Sequence, residues 1–212
     1  MPQLGSFADY LRFVVTLTAV LDPFLAVPIF VAMTARRNDG ARLALVVTLT
    51  VAAVLGGSAL FGEALLRWTG TGLSAFRVGG GLVLLLMGLA MLNAEAGGVR
   101  QSEAEAKELE TGDLPGVVPL AVPLLAGPGA IGTTIITAQP GGVAHLAATL
   151  VCIAMVCLLL WIMLRFAHSI APRMRRTGLN IATRLLGMLL VAIAIQTMAE
   201  GLKELFPALG GR

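Results

Sequence analysis

One acidic residue lies deep inside a long apolar stretch near the start of the chain. Asp22 is the only charged residue from Phe13 to Ala35. A bare carboxylate at the centre of a membrane costs roughly 2.5–3.5 kcal/mol on insertion scales, so such a group normally faces a cavity or a partner. We predict that Asp22 carries a coupling proton or binds a substrate ammonium group; a structural hydrogen bond to an opposing helix is the alternative. The coupling ion of the protein is expected to be a proton or sodium.

A second feature is the tripeptide Gly127-Pro128-Gly129, which lies inside another apolar stretch. Glycine and proline together can break a helix, and proline then suits the first position of a restarted half-helix. The free amides at the start of a helix form a seat for an anion such as a carboxylate. The predicted donors are the backbone amides of Gly129, Ala130 and Ile131 and, one turn later, the hydroxyls of Thr133 and Thr134.

Both stretches contain two prolines with four residues between them, Pro23 with Pro28 and Pro123 with Pro128. A proline inside a helix removes one backbone hydrogen bond and clashes with the carbonyl four residues earlier. A carbonyl freed in this way within hydrocarbon needs a partner in protein, water or substrate. The paired prolines therefore predict functional breaks in both helices, and simple kinks are the alternative.

Gln196 completes the set of predicted substrate-binding residues. It precedes Glu200 by one helical turn, so the two polar side chains share a helix face and Gln196 is the deeper one. The two histidines, His145 and His168, are too far apart in sequence to share a metal ion, and the two cysteines are five residues apart, on different faces of a helix. No Ser-His-Asp set, Walker A loop or dinucleotide motif occurs in the sequence. We therefore expect neither an enzyme nor a bound cofactor.

Composition indicates that these residues lie in a lipid environment. Of the 212 residues, 57% are hydrophobic and 13% are charged, whereas soluble domains carry about 25% charged residues. The net charge of +3 comes from basic residues scattered between apolar spans, which is not the pattern of a nucleic-acid-binding surface. The expected partners are membrane lipid and a small-molecule substrate, and a homo-oligomer is left open.

Six stretches are apolar and long enough to cross a bilayer, which takes roughly 20 residues. Because backbone groups in hydrocarbon must be satisfied internally, these spans are expected to be helices. The predicted helices are Leu11–Thr34, Leu43–Gly62, Phe76–Asn93, Val117–Ala138, Val143–Leu164 and Ile181–Leu202. A polar, acidic loop at 95–113 separates them into two groups of three, within a single transmembrane domain that covers 1–212.

Basic residues predict the orientation of these helices. The loops between helices 1 and 2, 3 and 4, and 5 and 6 carry ten Lys and Arg residues, counting Arg184 at the next helix entry, and the opposite side carries five. Short cytoplasmic loops are enriched in Lys and Arg, so those three loops are assigned to the cytoplasm. The prediction is a multi-pass inner-membrane protein with both termini outside.

The two groups of three helices are similar in sequence. Asp22-Pro-Phe-Leu-Ala-Val-Pro28 aligns with Val122-Pro-Leu-Leu-Ala-Gly-Pro128, and Arg77-Val-Gly-Gly-Gly-Leu82 aligns with Arg184-Leu-Leu-Gly-Met-Leu189. A repeat of three helices enters the membrane from the opposite face in its second copy. The all-α fold is therefore predicted to contain two inverted repeats, at about 6–94 and 114–205, with helices 1 and 4 broken and the site near the midplane. Coincidental prolines are the alternative.

The stretch from Val118 to Ile131, with its repeated prolines and Ala-Gly-Pro-Gly core, resembles the signature of the MarC family of bacterial and archaeal membrane proteins. Residues 76–82 and 183–190 also resemble family segments. The resemblance implies six transmembrane helices, an inner-membrane location and a place in the LysE-like group of exporters. It also implies transport, because one branch of the family is associated with neutral amino acids such as glycine and alanine.

Two positions depart from the family pattern. Asp22 fits the Asp or Asn that the family has before the first proline, but many members then carry Gly-Asn where this chain has Leu25 and Ala26. Glu200 replaces an Asn or Asp that is usual near the end of helix 6. Both differences bear on which substrate the protein would bind. The leading expectation is a secondary transporter of neutral amino acids, and the alternatives are a cation or metal exporter and a non-transporting membrane subunit.

Overall fold

The protein is an all-helical chain in the parts that the computed structural model describes, which are residues 6–34, 39–93, 125–138, 142–171 and 176–206. Eight helices occupy these ranges. They are α1 (Phe7–Leu21), α2 (Pro23–Thr34), α3 (Gly40–Thr69), α4 (Leu73–Asn93), α5 (Pro128–Ala138), α6 (Val143–Arg165), α7 (Ala167–Ile170) and α8 (Arg176–Leu205).

Four of these helices are long and apolar enough to cross a membrane. They are α3, α4, α6 and the part of α8 from Asn180 to Leu205, and they match the predicted helices 2, 3, 5 and 6 with a few residues added at the ends. The end of α3 shows why a helix stops where it does. Gly70 adopts a left-handed conformation, with a φ of 70°, that ends the helix without steric cost.

The first predicted helix is interrupted, as expected from its prolines. Asp22 adopts the left-handed conformation, with φ 39° and ψ 68°, and separates α1 from α2. This conformation is uncommon outside glycine but is several-fold enriched in Asp and Asn. Both backbone groups of Asp22 keep a hydrogen bond within the protein at the break. The Asp22 amide donates to the Thr18 carbonyl at 3.1 Å, and the Asp22 carbonyl accepts from the Ala26 amide at 3.2 Å.

The two proline pairs do not act alike. In the first pair the break occurs before Pro23, and α2 continues through Pro28. In the second pair the helix begins at Pro128, which aligns with Pro28. Pro123 and the loop at 95–113 lie outside the described residues.

A seam of glycines joins α4 to α8, which form the most extensive contact between two helices in the described ranges. A Cβ added at Gly88 would lie 2.8 Å from Cγ2 of Val191 and 2.9 Å from the Gly187 carbonyl oxygen. The two helices are antiparallel, because Gly201 meets Ser74 at the start of α4. Small residues at such positions let membrane helices approach closely.

Overpacking this seam is expected to destabilise the protein. Gly88→Val should lower the free energy of unfolding by about 1–3 kcal/mol, the usual cost of forcing extra atoms into a packed core, because neighbouring backbone blocks the new side chain. Thermal unfolding in detergent measures the change. Gly79→Val is the matched control, since a Cβ there meets nothing within 4 Å. Equal losses in both variants would show that the seam is not tightly packed.

Candidate functional site

Asp22 is buried at the break between α1 and α2. Its exposed fraction is 4%, and the residues around it, Val20, Leu21 and Pro23, are buried as well. The carboxylate therefore lies within the helix bundle and away from its outer surface. A buried acid placed by a helix break is the arrangement that the sequence predicts for binding a cation or an ammonium group.

The start of α5 supplies backbone donors, with one correction to the prediction. The Ile131 amide donates to the Gly127 carbonyl at 3.1 Å and so makes the first hydrogen bond of the helix. The prediction that Ile131 offers a free amide is wrong for that reason. The amides of Gly129 and Ala130 precede this bond and belong to the donors that an α-helix leaves without an internal partner. Both residues are buried, whereas Pro128 is exposed.

Two threonine hydroxyls lie one turn further along α5. Thr134 is completely buried, Thr133 is 8% exposed, and neither hydroxyl has a hydrogen-bond partner among the described residues. The usual arrangement in this protein is different. Thr149, for example, is equally buried but donates to the His145 carbonyl at 2.9 Å. Buried polar atoms without a partner are costly, so these two hydroxyls are candidates to bind a solute.

The two candidate regions lie close together. A Cβ added at Gly129 would lie 3.3 Å from Cγ1 of Val20, which is two residues before Asp22, and 2.7 Å from Sδ of Met87. The first turn of α5 thus packs between α1 and α4, next to the break. The structure therefore places the buried Gly129 against Val20, two residues before the buried Asp22, so backbone donors and an acidic acceptor lie on adjoining helices.

Gln196 does not lie in this neighbourhood. It is on the exposed face of α8, and its Nε2 donates to Oε1 of Glu200 at 3.0 Å. The helix-face relationship between Gln196 and Glu200 is as predicted, but a role of Gln196 in binding substrate stays a prediction. Pro28 is half-buried inside α2.

The described residues do not contain a group of three or more His, Cys, Asp or Glu side chains that could hold a metal ion. Asp22 is the buried acid in these ranges. Any cation bound there would have to take further oxygen ligands from backbone carbonyls, since hard cations require several.

Both histidines contact the broken helix, which sequence reasoning missed. His145 lies 2.9 Å through Nδ1 from the Tyr10 hydroxyl of α1, and His168 lies 2.9 Å through Nε2 from the Thr34 hydroxyl of α2. The signal in the sequence was that the chain has two histidines, placed at opposite ends of one apolar stretch. Their partners lie more than 100 residues away in sequence, with separations of 135 and 134.

The fold and the buried break define the class of this protein. Several helices long enough to span a bilayer, with large apolar side chains exposed along them, are typical of a multi-pass integral membrane protein. The model of the MarC family of integral membrane proteins matches residues 7–206. The chain belongs to that family.

Relatives in distant organisms match almost the whole chain. The UPF0056 membrane protein YhcE of Escherichia coli is 34% identical over 96% of both chains. The UPF0056 membrane protein YvbG of Bacillus subtilis is 30% identical over 96% of this chain and 98% of its own length. An archaeal relative, UPF0056 membrane protein MJ1677 of Methanocaldococcus jannaschii, is 32% identical over 87% and 91%. No solved structure matches the chain.

Removing a buried hydroxyl that has no partner is expected to stabilise the protein while weakening solute binding. Thr134→Val keeps the shape of the side chain and removes the cost of an unpaired polar atom, so the free energy of unfolding should rise by about 1 kcal/mol. Thr149→Val is the matched control, because it deletes an equally buried hydroxyl that already has a partner. Thermal unfolding of both variants tests this, and a destabilised Thr134→Val would contradict it.

Proposed function

We propose that this protein is a secondary transporter of small solutes across the inner membrane, with neutral amino acids as the substrate class. The proposal is carried by one observation, the packing of the α5 N-terminus against the end of α1 beside the buried Asp22. A zwitterion needs one anion-binding group and one cation-binding group close together. The amides of Gly129 and Ala130 suit its carboxylate, and the Asp22 carboxylate suits its ammonium group.

Thr133 and Thr134 would complete the carboxylate site. Their hydroxyls lie one turn after the two amides and have no partner among the described residues. Met87, Leu84 and Val20 pack closely around Gly129, and an added Cβ would lie 2.7 Å from Sδ of Met87. The confined space favours solutes with a small side chain. The family resemblance supports the same substrate class, and no enzymatic reaction is proposed.

The proposed architecture has six membrane-spanning helices, with α1 and α2 together forming the first. This pair runs alongside α6, a candidate membrane span, in the same direction. Tyr10 and His145 meet near the two beginnings, and Thr34 and His168 meet near the two ends. A broken helix that is tethered to both ends of a membrane span covers the same thickness as that span. The second broken helix would end in α5.

The pattern of helix contacts supports two repeats related by a two-fold axis. Such an axis exchanges helix 1 with 4, 2 with 5 and 3 with 6. The contact of α1 with α6 then corresponds to that of α3 with α5, and the contact of α1 with α8 corresponds to that of α4 with α5. The pairs α3–α6 and α4–α8 correspond to themselves. The antiparallel arrangement of α4 and α8 is also the one that inverted repeats require.

The proposed orientation, with both termini outside, can be tested independently of transport. A reporter enzyme that is active only outside the inner membrane should be active when fused after either terminus. The same enzyme inserted in the loop at 95–113 should be inactive, because basic residues place that loop in the cytoplasm. Opposite activities at the two termini would exclude an even number of spans.

Transport is tested by uptake of labelled glycine, alanine and serine into proteoliposomes, with and without a proton or sodium gradient. Asp22→Asn should abolish gradient-driven uptake. Asparagine is also enriched in the left-handed conformation, so this substitution removes the charge and keeps the backbone. Asp9→Asn is the matched control, because Asp9 is an acid of the same helix whose role is to cap its first turn.

The outcomes separate the competing functions. Saturable uptake that is kept by Asp9→Asn and lost by Asp22→Asn supports an amino-acid transporter with Asp22 at the site. Uptake that is equal in both variants would refute the role of Asp22. If no amino acid enters the vesicles, the same preparation is tested with monovalent and divalent cations, which Asp22 and the carbonyls at the break would bind.

A further inference from the structure

Helix α6 lies along the broken helix that α1 and α2 form together. It runs for 23 residues, from Val143 to Arg165, without a proline or glycine. It packs against both α1 and α2, and Cys152, Val156 and Leu160 are among the side chains that it buries. The broken helix thus consists of two half-helices that are joined by one left-handed residue and lie along a continuous one.

The first tether connects three helices. His145 Nε2 lies 2.7 Å from the Thr137 carbonyl oxygen of α5, which can only accept, so Nε2 carries a proton. In the neutral ring Nδ1 is then an acceptor, and the Tyr10 hydroxyl donates to it at 2.9 Å. The hydrogen bonds run from α1 through α6 to α5. His145 is 9% exposed.

The second tether connects α2 with the turn that follows α6. The Thr34 hydroxyl donates its single proton to the Phe30 carbonyl at 2.7 Å, so it can only accept from His168. The Nε2–H group of His168 is therefore the donor, at 2.9 Å. His168 lies in α7, directly after the end of α6.

We propose that His145 and His168 are the positioning residues of two gates, one at each end of the broken helix. The Tyr10–His145–Thr137 bonds close the bundle on the side where α1 begins, and the Thr34–His168 bond closes it on the side where α2 ends. Asp22 lies between the two tethers. Because α1 and α2 meet at one residue, either half-helix can move away from α6 while the other stays bound. This inference rests on the proposed transport function, since it assigns the residues that control access to the Asp22 site.

The two gates hold different helices. The first gate holds α1 and also bonds the end of α5, which the chain itself joins to α6, so its opening would release α1 from the start of α6. The second gate holds α2 alone. One side chain hydroxyl in each gate can be deleted with little change of shape, by Tyr10→Phe in the first and Thr34→Val in the second.

The test measures access to the site and does not depend on transport. Thr133→Cys is introduced into a chain with Cys152→Ala and Cys157→Ala, and its reaction with a membrane-impermeant maleimide is followed in right-side-out and inverted vesicles. Tyr10→Phe should raise the labelling rate about two- to tenfold, the shift that loss of one hydrogen bond allows, from the side where α1 begins. Thr34→Val should do the same from the opposite side.

Thr50→Val is the control, because the Thr50 hydroxyl donates to the Val46 carbonyl of its own helix, and the labelling of Thr133→Cys should not change in this variant. His145→Ala and His168→Ala should repeat the two one-sided increases. Unchanged rates, or equal increases from both sides, would overturn the proposal and leave the tethers as purely structural bonds. One-sided increases, together with no amino-acid uptake by the protein that keeps Thr133, would refute the proposed substrate and leave the gates in place.

Discussion

The need to satisfy every backbone polar group inside hydrocarbon governs this protein. A helix that breaks inside a membrane must replace the bonds that it loses. At Asp22 the chain does this locally, because a left-handed residue lets α1 end on the Asp22 amide and α2 begin on the Asp22 carbonyl. The backbone of Asp22 therefore keeps its hydrogen bonds at the break, and the Asp22 carboxylate is buried in the bundle. The same constraint makes the amides in the first turn of α5 candidate donors to a bound anion.

Close packing decides where the start of α5 lies. Gly129 has no side chain to hold α5 away from Val20 and Met87, so the half-helix lies against α1 and α4. On the other side of the bundle the glycines of α4 and α8 make those two helices a tightly packed pair. The result is one closely packed pair of helices beside a pair of shorter half-helices. Movement within the bundle is then expected at the half-helices, which are anchored to α6 through the Tyr10–His145 and Thr34–His168 bonds.

The two proline-containing segments show how far a sequence match predicts a helix break. The match of Pro23 with Pro123 and of Pro28 with Pro128 predicted two equivalent breaks. Helix α2 passes through Pro28, whereas α5 begins at Pro128. The neighbouring residue accounts for the difference, because Val27 favours a continuing helix and Gly127 permits an abrupt start. The two aligned segments thus differ at Pro28 and Pro128, and the acid at Asp22 aligns with the uncharged Val122.

The sequence by itself determined the elements. Apolar length placed α3, α4, α6 and α8 within a few residues of their bounds, and proline and glycine located the interruptions, since both effects depend on neighbouring residues alone. Composition and the motif around Pro128 sufficed for the family. The tertiary structure decided which polar groups meet. It buried Thr134 with no hydrogen-bond partner among the described residues, left Gln196 on the outer face of α8, used the Ile131 amide within its own helix, and joined His145 to Tyr10. Contacts between residues more than 100 positions apart depend on how the helices pack, and one sequence carries no local signal for that.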